Sequence, residues 1–169
     1  YLEGFSHLSV REVSGREIVR EASGREAAVV LDPTLLLTAA EWSALAADPA
    51  LREKEYILCY GISRSGALEP YIRRLAEETG LPVVQLCGTR RKLHPKARMI
   101  SDAGPAEFLG LFQRAAYVCT NSFHGTVFSV LFQRPFFTAV APAELQEPER
   151  SRTFSLLSRL GLTERVVGK

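Results

Sequence analysis

From about Glu55 onward, short apolar runs alternate with amphipathic stretches of roughly 10–14 residues, and this rhythm limits the fold more than any other feature of the chain. "YILCYG" (56–61), "PVVQLCG" (82–88), "ARMIS" (97–101), "AYVCT" (116–120) and "PFFTAV" (135–140) read as strands. "ALEPYIRRLAEETG" (67–80) reads as a helix with Leu68, Ile72, Leu75 and Ala76 on one face, Pro70 in its first turn and Gly80 at its end. "GPAEFLGLFQRA" (104–115) opens on Pro105 and turns Phe108, Leu109, Leu111 and Phe112 inward. "HGTVFSVLFQ" (124–133) and "SRTFSLLSRLG" (151–161) complete the set, the last with Phe154, Leu157 and Leu160 inward. Strands separated by helices of this length predict βαβ units in an α/β, Rossmann-like, open and mainly parallel sheet with helices on both faces.

Upstream, "HLSV" (7–10) and "AAVVLD" (27–32) are strand candidates around a short helix, "SGREIVREA" (14–22), whose apolar points are Ile18 and Val19. Asp32-Pro33 ends the second strand, because a residue before proline is pushed away from helix. "TAAEWSALAA" (38–47) is a helix that Thr38 and Glu41 close with a capping box. Residues 1–37 therefore look like the last βαβ segment of an amino-terminal domain, and residues 38–169 like a carboxy-terminal Rossmann-like domain. Tyr1 in place of a start methionine suggests a fragment or a processed chain.

A net charge of +2 over 169 residues offers no cation excess for a phosphate backbone, which argues against nucleic acid as a partner. Cys59, Cys87 and Cys119 form no metal-ligand pattern and lie in apolar runs, so they read as buried free thiols in a reducing compartment. No apolar run approaches the roughly 20 residues of a membrane span, and no signal peptide is visible. The expected location is cytoplasmic, with the inner membrane surface as a variant of it. Nothing calls for a metal or a cofactor.

The chemistry concentrates in "TNSFHG" (120–125), where a strand hands over to a helix. In an open parallel sheet, ligands bind outside the carboxyl ends of the strands. The helix that follows presents free N–H groups and a positive dipole end, which favour an anion. Gly125 lets an anionic group approach the backbone. Asn121 or Ser122 can cap the helix or donate to a ligand. His124 can carry a proton near neutral pH. The same residues also serve ordinary capping, and a first-turn histidine is often only solvated.

"TNSFHGTVFSVLFQRPF" (120–136) resembles the signature of the polysaccharide pyruvyl transferase family. "SVRE" (9–12), "VLDPTLLL" (30–37), "YILCY" (56–60) and "SRTFSLLSRLGLTER" (151–165) follow the family's order. The resemblance spans nearly the whole chain, and the His-Gly element is its specific part. It implies the carboxy-terminal half of a two-domain, GT-B-type enzyme whose cleft needs the missing amino-terminal domain. It also implies transfer of pyruvate from phosphoenolpyruvate, as substrate, to two hydroxyls of a saccharide acceptor that is lipid- or nucleotide-linked.

On this resemblance His124 is the general acid or an electrophilic partner of the phosphate. Arg11 is the cation that grips carboxylate or phosphate. Ser122, Gly125 and Thr126 line the anion site, and Asn121 and Arg152 are further candidates. Arg11 and Arg152 read equally well as surface arginines. The charge run "TRRKLHPKAR" (89–98) reads as a solvated loop rather than an anion trap, and His94 as part of it; His7 reads as structural. "GISRSG" (61–66) lacks the lysine of a phosphate-binding loop. Two other functions share the same pattern: a GT-B glycosyltransferase or sugar-nucleotide epimerase, and a non-catalytic half-domain that binds a glycan or a partner.

Overall fold

The computed structural model describes residues 1–62, 66–87, 91–148 and 151–168. Two parallel sheets result. The first pairs β1 (Ser9–Val10) with β2 (Ala28–Val29) across helix α1 (Val13–Ser23), a βαβ unit in register Ser9 to Ala28 and Val10 to Val29. A short 3-10 turn (Pro33–Leu35) and helix α2 (Ala39–Leu45) lead on to the second sheet. Thr38 accepts from the Glu41 N–H and Glu41 accepts from the Thr38 N–H at 2.8 Å, which is the capping box read from the sequence.

The second sheet contains β3 (Ile57–Gly61), β4 (Val83–Cys87), β5 (Arg98–Ile100), β6 (Tyr117–Thr120), β7 (Phe136–Ala139) and β8 (Val166–Val167). Its spatial order is β5-β4-β3-β6-β7-β8, and each neighbouring pair runs parallel. Helices α3 (Glu69–Thr79), α4 (Pro105–Arg114), α5 (Phe123–Leu131), α6 (Pro142–Gln146) and α7 (Arg152–Leu160) connect the strands or close the chain. This is the Rossmann-like α/β layer that the rhythm of the sequence predicts.

The central strand shows why β3 reads as a continuous apolar run. Ile57, Leu58 and Cys59 are all fully buried, and they alternate between two cores. Ile57 and Cys59 pack with Leu68, Ile72 and Cys119 on the α3 side. Leu58 packs with Leu111, Phe112, Phe128 and Leu157 on the side of α4, α5 and α7. Each such side chain contributes roughly 1.5–3 kcal/mol by leaving water. Phe128 sits edge-on to Trp42 at 5.2 Å and to Phe108 at 5.6 Å, which joins α2, α4 and α5. Gly110 makes the contact of α4 with the chain after α2 possible, since a Cβ there would stand 1.9 Å from the Ala47 carbonyl oxygen.

Several local expectations change. Leu160 is 47% exposed, although Leu157 is fully buried. Each three-residue step along a helix falls about 60° short of a full turn, so the inward stripe that starts at Phe154 has rotated off by Leu160. Ile18 is 63% exposed, because α1 has only a two-stranded sheet to pack on. His7 lies before β1, exposed, with only the Ser6 hydroxyl beside it, so it is no structural core residue. Helix α5 starts at Phe123 rather than His124. The sequence reading had not anticipated α6 or β8; one is a single turn, and the other has two residues and no alternation to detect. Cys59 and Cys119 are buried free thiols in register across β3 and β6, and burial pushes the Cys119 thiol up to about 12. The Cys87 side chain lies outside the described residues, as do Ser63, Arg64 and Ser65 of the glycine-rich stretch.

Candidate active site

Strand order reverses between β3 and β6, since β4 and β5 lie to one side and β7 and β8 to the other. The crevice at such a reversal, outside the carboxyl ends, is where open α/β sheets hold ligands. Asn121 spans it. Its side-chain oxygen accepts from the Ile62 N–H at 2.8 Å, and its own N–H donates to the Tyr60 carbonyl at 3.4 Å. Thr120 adds a hydroxyl donation to the same carbonyl at 2.7 Å. The exits of β3 and β6 are thereby tied together.

The residues at the start of α5 then split into structural and solvent-facing members. Ser122 is buried and caps α5, accepting from the Gly125 N–H at 3.3 Å. The Thr126 hydroxyl, fully buried, lies between the Ser122 carbonyl at 3.1 Å and the Thr138 hydroxyl at 3.0 Å. Both hydroxyls are engaged inside the fold. Gly125 is buried as well, and its missing side chain serves packing: a Cβ would stand 2.3 Å from Thr120 Oγ1 and 3.1 Å from Tyr60 Cδ1. Only His124 projects outward, with its side chain 47% exposed.

Opposite His124 stands Asp32, which the sequence reading had treated as a strand end and as part of the "VLDPTLLL" motif, with no role in the site. Its side chain is 3% exposed. The Pro33–Leu35 turn fixes it, because Oδ1 accepts from the Thr34 N–H at 3.0 Å and the Thr34 hydroxyl at 2.7 Å. Oδ2 accepts from Arg11 Nη1 in an ion pair. His124 Nε2 lies 3.8 Å from Oδ1. Burial would raise the carboxyl pKa, but the two Thr34 hydrogen bonds and then Arg11 outweigh it, and with the charge of His124 they hold it down from 3.8 to about 2. A depressed carboxyl contributes stability that is complete above its unfolded value and is lost as pH falls through the folded one. The difference of nearly two units corresponds to on the order of 2 kcal/mol. Unfolding free energies of the native chain from urea titrations are thus expected to fall between about pH 4 and pH 2 by roughly this amount more than those of Asp32→Asn, and parallel curves would contradict it.

Arg152 starts α7, where the positive helix end disfavours a cation. Two partners offset this: Glu12 Oε1 at 3.4 Å from its Nε, and the Phe123 ring, whose centroid is 5.1 Å from the guanidinium carbon. Phe123 meets the His124 ring edge-on at 5.4 Å. Adjacent residues of one segment, Arg11 and Glu12, thus reach Asp32 and Arg152 respectively. Arg11, Glu12, Asp32, Phe123, Arg152 and Arg159 line one cleft. Arg152, Glu12 and Phe123 also border a second opening, which Asn121 lines.

The sequence candidates Arg11, His124 and Arg152 therefore meet at one place, whereas Ser122, Gly125 and Thr126 lie beneath it. Asp32 and Glu12 are the additions. The Asp-Pro-Thr element was the one local signal for the first, since an aspartate before proline readily caps a turn. The basic run lies elsewhere in its bonding: Arg91 pairs with Glu69 at 2.7 Å and Arg98 with Glu53 at 2.8 Å, while Thr89 and Arg90 lie outside the described residues. His94 accepts from the Lys96 N–H within its own turn. Among the described residues, no three His, Cys, Asp or Glu side chains gather as a metal site.

The cleft gathers the guanidinium groups of Arg11, Arg152 and Arg159, and the His124 ring stands beside it, against Asp32 and Phe123. Comparison with curated proteins finds no match. Among solved structures, the chain is similar to the Methanocaldococcus jannaschii UDP-GlcNAc 2-epimerase in complex with UDP-GlcNAc and UDP, at 13% identity and a TM-score of 0.48. That alignment covers 96% of this chain and 56% of the other, so the chain spans little more than half the length of that protein. The family model described as polysaccharide pyruvyl transferase matches residues 1–142, a span that holds Arg11, Asp32 and the whole of "TNSFHG". With most of its length inside that match, the chain belongs to the polysaccharide pyruvyl transferase family.

Proposed function

We propose that this chain supplies the His124 half of a site that moves pyruvate from phosphoenolpyruvate onto two hydroxyls of a saccharide as a ketal. The observation that carries the reading is the meeting of His124 and Arg11 at one buried carboxylate, inside the region that matches the family. Arg11 grips the donor's carboxylate or phosphate, with Arg152 and Arg159 along the same cleft. His124 gives a proton to the enol C3, so that a C–H bond forms and C2 becomes electrophilic. One sugar hydroxyl adds to C2, phosphate leaves with its bond electrons, and the second hydroxyl closes the ketal. Of the two hydroxyl protons, one restores His124 and the other leaves with phosphate.

In this reading residues 1–37 close an amino-terminal domain, and the complete cleft lies between two domains of GT-B type. The acceptor is a lipid- or nucleotide-linked saccharide. No described helix is long and apolar enough to cross a membrane; action in the cytoplasm, at the inner membrane surface, suits such an acceptor. The test is release of inorganic phosphate from phosphoenolpyruvate by the longest natural polypeptide that contains this chain, given a panel of lipid- and nucleotide-linked sugars. Acceptor-dependent release is expected. Binding of a nucleotide sugar with no release from any acceptor would sink the reading.

A further inference from the structure

We propose that Asp32 is a positioning residue of this site: it anchors Arg11 with one carboxylate oxygen and directs the ring of His124 with the other. The kinetic side of this inference rests on the pyruvyl-transfer reading, and its geometric side stands without it.

Asp32 has no freedom left when a ligand arrives. Thr34 holds Oδ1 with two hydrogen bonds, Arg11 holds Oδ2, and the side chain is 3% exposed. Those contacts already satisfy a buried carboxylate. His124 is therefore not needed to complete it, yet Nε2 faces Oδ1 at 3.8 Å, an ion-pair separation rather than a hydrogen bond. A fixed negative oxygen on that side favours the N–H at Nε2 and leaves Nδ1 as the nitrogen that exchanges a proton. When C3 of the donor is protonated, the Nδ1–H bond breaks as the C–H bond forms, and the ring passes from imidazolium to the neutral Nε2–H form, still facing Asp32. The Phe123 ring meets the His124 ring edge-on at 5.4 Å.

The same carboxylate also sets the reach of Arg11. A guanidinium paired on one edge keeps its remaining N–H donors for an anion in the cleft that both residues line. Asp32 thus places the anion grip and the proton carrier relative to each other.

The test uses Asp32→Asn in the longest natural polypeptide, with two readouts. Long-range proton–nitrogen spectra of the neutral His124 ring are expected to show a protonated Nε2 and a bare Nδ1 in the native protein, and the two resonances are expected to move toward each other in Asp32→Asn. In steady-state kinetics, kcat is expected to fall about 100-fold or more with no rise in KM for phosphoenolpyruvate, because the ring is misdirected while Arg11 is released from its internal partner. An unchanged ring spectrum, or a kcat within twofold of native, overturns the inference. If the native protein turns over no phosphoenolpyruvate, the functional reading fails by itself and the ring spectra alone decide on Asp32. Should Asp32→Asn not fold, Thr34→Val loosens Oδ1 and keeps the charge. It is expected to move the ring resonances in the same direction by less, and no movement would overturn the proposal.

Discussion

On the pyruvyl-transfer reading, alanine at His124 is expected to lower acceptor-dependent phosphate release by about 10²–10⁴-fold, the range of a lost general acid, and to leave the fold intact. The ring is half exposed and belongs to neither apolar core, so its removal opens no cavity. The helix start does not depend on it, because Ser122 supplies the cap. The stability change is therefore expected to stay within about 0.5 kcal/mol, as for other surface positions. Phosphate release and a melting curve on the same preparation check both halves. Lost turnover with an unchanged melting temperature places the ring in the chemistry; undiminished turnover returns His124 to a helix-start residue.

Gly125→Ala is expected to act in the opposite order, on the fold first and on turnover as a consequence. The added methyl would stand 2.3 Å from Thr120 Oγ1, and the Thr120 and Tyr60 side-chain carbons at 3.1 Å leave no room to yield. Thr120 cannot swing away cheaply, since its hydroxyl donates to the Tyr60 carbonyl and accepts from the Ser122 N–H at 3.0 Å. Helix α5 would have to lift from β3 and β6, at a cost of about 3 kcal/mol, the upper part of the range for overpacked cores. Chemical denaturation measures it. A loss below about 1 kcal/mol would show that α5 shifts freely, and the packing argument would then be wrong.

The contrast between these two neighbours marks what the sequence could and could not disclose. The strand-to-helix handover at "TNSFHG" was legible because caps and apolar periodicity are local, and so was the Thr38–Glu41 box. The α/β rhythm was legible for the same reason. The purpose of Gly125 was not, because a glycine for close packing and a glycine for ligand approach look alike in one dimension. Asp32 shows a different blindness. Its importance arises only when Arg11, 21 positions earlier, and His124, beyond four further strands, converge on it. Short elements such as β8 were missed because two residues carry no period, and are strands only because β7 is there to pair with them.

The internal pairing of Arg11 also bears on how long a product stays. An anion entering the cleft meets a guanidinium that a buried carboxylate already satisfies in part. Its hold on Arg11 would be reduced by that competing attraction, which would shorten its residence time. On the pyruvyl-transfer reading, a site that sheds phosphate in every cycle would work faster with a looser grip, because departure of product often limits turnover. The aspartate would then act as a built-in competitor that ushers the leaving anion out, and slower phosphate dissociation from Asp32→Asn in a stopped-flow trace would be its signature.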